Sequence, residues 1–343
     1  MIRGYIPGFA RPKEEYRYGD AQVITDGVYT LVIDGMCGDG TTKLIKWLKK
    51  NNYKKLWLII THWHDDHFVG CEKILGDSFF SVQRLWCPNP SALKVGLGGY
   101  YSKMIQNCID DGERVVALAK KKKVKVTHPI SGTLYHIGDI RFKLYKQQPK
   151  KVAKDDTNAW EFVNNGSLGA WFPDFGYWTS GDGCGVGEIR DRLTKLGLKG
   201  KVKWFKIDHH GNKCSQSNAK FLFDQGAKYC WYNDLEPKGV GTTGFTAYGA
   251  KRCKEAGIHV FESVGDINWI AKSGKITIYK NFKSYAIPCA YKGKSTLKGA
   301  NRAVAKEVID GKYGSSNTRI TNLIDAGYYP IAIQNLVNKM LKE

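Results

Sequence analysis

The sequence predicts an α/β layered body followed by a small all-helical module, and three observations carry that fold class. Short β-type runs alternate with helix-like stretches as far as Asn281. Periodicity then lapses into Pro, Gly, Ser and Lys over 285–299. Beyond that stretch apolar residues return at helical spacing. A chain of 343 residues exceeds what one compact domain usually needs, and 42% hydrophobic and 13% aromatic content fit a globular protein rather than a disordered one.

In chain order the β-type runs are VYTLVID (28–34), KLWLII (55–60), RFKLY (141–145), SLGAWF (167–172), YWTSGD (177–182), VKWFKID (202–208), KYCWYN (228–233) and KITIYKN (275–281). Helix-like stretches are TTKLIKWLKKNN (41–52), GEIRDRLTKLG (187–197) and TAYGAKRCKEAG (246–257). The segment 146–158 reads as a polar loop. This organisation divides the chain into a body of residues 1–285, a linker over 286–299 and a module over 300–343. The module reads as three short helices broken at 311–316 and 327–330. One apolar stripe is Val304, Val308 and Ile309; the other is Ile331, Ile333, Leu336, Val337 and Leu341.

The chemistry concentrates in THWHDDHFVG (61–70), directly after an apolar run. Two short segments, this one and KIDHHGNK, hold five of the eight histidines. A strand ending in a loop can offer His62 and His64, two residues apart, to one metal while Asp66 and His67 turn to a second. Imidazole with carboxylate suits Zn²⁺, with Mn²⁺ and Fe as competitors. Complementary ligands follow later strands: Asp182 in TSGDG, able to bridge two cations, and His210 in HHG. No Gly-x-Ser-x-Gly elbow competes as a nucleophile.

This spaced set, together with VIDGMCGDG, SGDG and HHG, resembles the metallo-β-lactamase superfamily over residues 20 to 282. NNGSLGAWF, YWTSGDG and KIDHHGNKCSQS are most similar to the branch with the ComEC/Rec2 hydrolase domain and the pneumococcal phosphorylcholine esterase. The resemblance implies an αββα sandwich with metals at the sheet edge. It implies that His62 and His64 hold one ion, that Asp66, His67 and His210 hold the other, and that Asp182 bridges. A further histidine common in members is absent from EFVNNGS, so the first ion is expected to take water or a substrate oxygen. Asp34 resembles the aspartate that orients a metal histidine. Asp66 and His209 are the expected catalytic residues, His209 protonating a leaving group or touching phosphate. His128, His136 and His259 read as ordinary histidines.

Net charge is +21 and spread along the body, which favours polyanionic partners such as nucleic acid, teichoic acid or phosphorylated metabolites. KKKKVKV (120–126) reads as a solvated helix end. Nine scattered cysteines without a Cys-x-x-Cys pair argue against a disulfide framework. No signal-type h-region and no membrane-length apolar run occur, so cytoplasmic synthesis without a signal peptide is expected, with action at the wall after release.

From Asn301 to Leu341 the chain resembles the Cpl-7 type cell-wall-binding repeat of phage endolysins, in VA-EVI-GKYG, R---L--AGY and IQ--VN--L. That implies peptidoglycan as a partner. The expected function is binuclear metal-dependent hydrolysis of an anionic phosphodiester, directed to wall polymers. Alternatives are a cytoplasmic nuclease or cyclic-nucleotide phosphodiesterase, and a non-catalytic wall-binding protein.

Overall fold

The computed structural model describes residues 1–8, 19–98, 102–146, 159–183, 189–211, 219–233, 247–262, 265–294 and 297–343. The expected polar loop beyond Lys146, the stretch 212–218 of the HHG motif, and Cys184 and Cys214 lie outside these residues. The body opens with β1 (Ile2–Ile6), β2 (Gln22–Thr25), β3 (Thr30–Ile33), α1 (Gly38–Lys50), β4 (Lys55–Ile59) and α2 (Asp65–Gly76). There follow β5 (Ser81–Trp86), α3 (Ser102–Lys121), β6 (Lys125–Thr127), β7 (Leu134–Ile137), β8 (Ile140–Lys146) and α4 (Ala159–Asn165). Next come β9 (Leu168–Phe172), β10 (Tyr177–Thr179), α5 (Ile189–Lys195), β11 (Trp204–Lys206), α6 (Ala219–Asp224) and β12 (Tyr229–Tyr232). The body closes with α7 (Ala247–Glu255), β13 (His259–Glu262), β14 (Ile267–Lys272), β15 (Lys275–Lys280) and β16 (Lys283–Pro288). Three helices end the chain: α8 (Arg302–Ile309), α9 (Ser316–Asp325) and α10 (Pro330–Met340).

The strands form two sheets, in the orders β16-β15-β14-β1-β2-β3-β4-β5-β6 and β13-β12-β11-β10-β9-β8-β7. Each sheet is parallel where helices connect its strands, β3 to β6 and β10 to β13, and antiparallel elsewhere. Alternation along each strand sorts side chains into layers. In β4, Leu56 and Leu58 pack under α1, α2 and α3, while Ile59 points into the space between the sheets. Trp204 of β11 faces that inter-sheet core, whereas Phe205 faces α5, α6 and α7. The result is the expected αββα sandwich.

Lys120 to Lys123 are exposed at and just past the end of α3, as a solvated helix end should be. The C-terminal helices break where expected. Their core holds Val304, Ala305, Val308, Leu323, Ile333 and Val337. Ile309, the last residue of α8, and Leu341, just past α10, were expected in the apolar stripes and are instead exposed.

The linker expectation needs correction. Residues 286–288 belong to β16, hydrogen-bonded to β15 at the sheet edge, and Tyr291 is buried in the inter-sheet core, its hydroxyl 3.2 Å from Asp139. An edge strand with Lys and Ser on its outer side shows no clean alternation, which is why this segment reads as a linker. Nor does the module stand apart: Ile320 and Ile324 of α9 pack on Ile270 and Tyr279. Thr321 bonds Asn268 and Asp266 at 2.9 and 3.0 Å, and Asp325 pairs with Arg3 at 2.6 Å.

Candidate metal centre

The parallel halves of the two sheets bring their strand ends to one edge, and the site is built there. After β4 the chain bends over 62–64, with Trp63 buried in the helix-side core and His62 and His64 turned to each other. Their rings meet, His62 Nε2 lying 3.1 Å from His64 Nδ1. The first turn of α2 then supplies Asp66 and His67. Its approach needs glycines: a Cβ on Gly70 would stand 1.8 Å from the Gly35 carbonyl oxygen, and one on Gly19 would stand 1.8 Å from that of Asp66. Asp182 follows β10, and His210 follows β11.

Asp182 Oδ2 is the hub. It lies 3.1 Å from His210 Nε2, 3.2 Å from His67 Nε2, 3.9 Å from His62 Nε2 and 4.0 Å from His209 Nε2. Asp66 Oδ2 lies 3.3 Å from His210 Nε2 and 3.7 Å from His67 Nε2, and the two Nε2 atoms are 3.3 Å apart. A cation bonded at about 2.0–2.2 Å to four tetrahedral N and O donors requires edges of about 3.3–3.6 Å. The five separations among His67, His210, Asp66 and Asp182, 3.1–3.7 Å, lie close to that range. His62 and His64 form a second donor pair, linked to the first group through Asp182.

Backbone strain marks the same place. His209 and His210 have φ of 46° and 49°, and Asp34 has 58°; left-handed conformations of non-glycine residues cost about 1–2 kcal/mol each. Asp34 is tied down by Thr61, whose backbone N–H and hydroxyl each donate to it at 2.8 Å. From there it faces His67 Nδ1 at 2.9 Å, the position expected of an orienting carboxylate.

The protons follow the charges. Burial works against the His67 imidazolium, but Asp182, Asp66 and Asp34 raise its pKa well above the usual range. His210 is raised to about 10 because Asp182 and Asp20 outweigh burial. Burial lowers His64 to about 4 and drives His62 well down with help from His67. Burial disfavours ionised Asp182 and Asp66, yet the neighbouring histidines, and Lys206 for Asp182, hold both below the normal carboxylate range. The carboxylates thus favour positive charge on His67 and His210, where a cation's charge belongs.

All six expected ligands meet at this edge. His209 stands at its margin, 15% exposed, with Asn164 Nδ2 3.2 Å from its Nε2. His128, His136 and His259 are exposed. Asn164 comes from the stretch EFVNNGS, which lacks the further histidine. Two other site residues are not visible in the sequence alone. Asp20, which with His67, Asp182 and His210 forms a compact group of metal-type ligand atoms, precedes β2 in an unremarkable YGDAQ. Lys206 has one weak signal: it shares the inward parity of Trp204 in an otherwise apolar strand, where a lysine is out of place unless paired.

The comparisons with known proteins divide the chain. Residues 302–341 match the CW_7 repeat. The CW_7 repeat thus covers the segment in which a wall-binding repeat was expected, and it corresponds to α8, α9 and α10. No curated protein matches the chain. Among solved structures it is similar to YhfI from Bacillus subtilis, a metallo-β-lactamase fold protein, at 12% identity and TM-score 0.47, covering 78% of this chain and 99% of that one. A diphosphatase from the PhnP family gives 11% identity and TM-score 0.45 over 78% and 97% of the chains, and the metallo-β-lactamase DIM-1 gives 14% and 0.33 over 60% and 83%. Likenesses this distant assign no activity.

Proposed function

We propose that the chain is a metal-dependent hydrolase of phosphodiesters, brought to bacterial wall polymers by its CW_7 repeat. The observation that carries this reading is the convergence of His67, His210, Asp66 and Asp182, whose donor atoms stand 3.1–3.7 Å apart, close to what a tetrahedral cation site needs. Zn²⁺ suits this N and O donor set, with Mn²⁺ and Fe as competitors. Bound there, cations supply Lewis acidity toward a phosphoryl oxygen and acidify water near neutral pH.

The remaining work falls to the chain's own residues. Asp34 holds His67 by its Nδ1 so that Nε2 points inward. Asp182 reaches both imidazole groups through a single oxygen, the arrangement a bridging ligand needs. The His62 and His64 pair offers two nitrogens only, which leaves room for a water or a substrate oxygen. Burial lowers the His209 pKa, so near neutral pH it is uncharged and accepts or relays a proton. Its position at the margin suits taking a proton from the attacking water and then passing that proton to the leaving oxygen, and Asn164 sets its ring. A net charge of +21 draws anionic substrates toward the body.

A panel of chromogenic phosphodiesters, phosphomonoesters, a β-lactam and a thioester, offered to Zn²⁺- and Mn²⁺-loaded protein alongside purified walls, tests the reading. Diester cleavage and release of phosphate esters from walls are expected. Cleavage of the β-lactam or thioester alone would sink it. The same net charge also favours a second reading, a nuclease or cyclic-nucleotide phosphodiesterase, for which metal-dependent nicking and steeply salt-dependent DNA binding are the signatures.

A further inference from the structure

One buried ion pair lies beside His210 at the site, on the Nδ1 side of its ring. Lys206 is 1% exposed, and its Nζ lies 2.6 Å from Asp20 Oδ2 and 3.4 Å from Asp182 Oδ1. It also donates to the carbonyls of Gly181 and Ile207 at 3.0 and 3.2 Å. Asp20 is fully buried; its Oδ1 accepts from Asn233 Nδ2 at 3.2 Å and faces His210 Nδ1 at 3.6 Å. Among the described residues His210 Nδ1 makes no hydrogen bond, and Asp20 is the carboxylate that faces it. His210 turns its other nitrogen, Nε2, toward Asp66 and Asp182.

Asp20 therefore stands on the Nδ1 side of His210 as Asp34 does for His67, though at 3.6 Å rather than at the 2.9 Å hydrogen bond of Asp34. The difference is that Asp20 carries its own counter-ion, and that counter-ion also touches the hub. Lys206 takes Asp182 Oδ1 and leaves Oδ2 for the histidines. Buried ion pairs are weak sources of stability, so the position of this one calls for another explanation.

Building on the metal-site reading, we propose that Asp20 and Lys206 are a positioning pair that sets how tightly the centre holds its cation. Asp20 strengthens and orients His210 as a donor. Lys206 offsets the surplus of carboxylates and keeps Asp182 turned inward. The two partners then act in opposite directions on cation affinity, because deleting the carboxylate removes negative charge and deleting the ammonium adds it. A pair that served only the fold would give losses of the same sign from either side.

The test compares Asp20→Asn, Lys206→Met and the double variant. Zn²⁺ dissociation constants are measured by competition with a chromogenic chelator, and the thermal midpoint of each metal-free protein is recorded separately. Asp20→Asn is expected to bind Zn²⁺ about 10–100-fold more weakly. Lys206→Met is expected to bind it several-fold more tightly, while turnover falls because Asp182 is released. The double variant keeps the net charge of the site and loses the carboxylate behind His210, so an affinity about tenfold below wild type is expected; this comparison decides the matter if either single variant does not fold. Equal weakening in both single variants, or a double variant that binds as tightly as wild type, would overturn the proposal. Wild-type protein that takes up no Zn²⁺ would instead overturn the metal reading itself, and that control comes before any variant is compared.

Discussion

His67 and His210 meet at 3.3 Å with carboxylates in front of them and behind them, and that arrangement governs what single substitutions should do. Asp182→Ala removes the oxygen shared by both histidine groups, so cation content and turnover should fall together; turnover within tenfold of wild type would rule out a shared ligand. His210→Ala should lose metal, whereas His209→Ala should keep it and lose rate, which metal analysis beside steady-state kinetics will separate. Protonation gives an independent reading. His210 titrates at about 10 in the metal-free protein against 6.5 for a free imidazole, and His67 is also raised, so both carry protons at pH 7. Cation binding should therefore release protons, and affinity should climb from pH 7 towards 10, as calorimetry in buffers of different ionisation enthalpy will show. The sign for stability is the reverse. A histidine raised by folding stabilises the metal-free protein fully below pH 6.5 and loses that contribution as pH rises through about 10.

Among the elements, α2 matters most, because its first turn carries Asp66 and His67 while Gly70 rests on the backbone of Gly35. Gly70→Ala should force the helix outward, costing about 1–3 kcal/mol by overpacking and weakening metal binding as well; a denaturation curve and a metal titration that both match wild type would show that the contact is not needed. The α9 interface is expected to be as sensitive. Asp325→Ala leaves Arg3 buried without its carboxylate, a loss of about 3–5 kcal/mol in the same denaturation measurement. These two elements also mark the limit of what the sequence discloses. The candidate ligands at the start of α2 were legible, since His62, His64, Asp66 and His67 fall within six positions and Trp63 lies buried between the two histidines. Asp182 and His210 were legible as strand-end residues once that segment was recognised. Asp20, Lys206 and Asn164 come from three separate segments, and no local pattern announces a partner that only the sheet topology brings near. β16 and the α9 contact were missed for a related reason: an edge strand and a docking face are defined by neighbours far away in the chain.

As a whole, the molecule is two sheets whose parallel halves share one edge, with the CW_7 repeat held against β14 and β15 by apolar and ionic contacts. Removing that repeat is then more than removing an appendage. A chain ending at Gly293, which keeps Tyr291 in place, should show a lower thermal midpoint than the full chain, because Ile270, Tyr279 and Arg3 lose their cover. It should also sediment less with purified walls, and undiminished sedimentation would make the basic body the anchor. The claim on which the rest depends is that the strand-end cluster is a working metal centre. It is tested most directly by one titration: Zn²⁺ is returned to chelator-treated protein while bound metal and phosphodiester turnover are followed together, with Asp182→Ala alongside. Turnover should be absent without metal, rise in step with bound Zn²⁺, and stay absent in the variant; turnover that survives chelation, or survives in Asp182→Ala, would contradict the account.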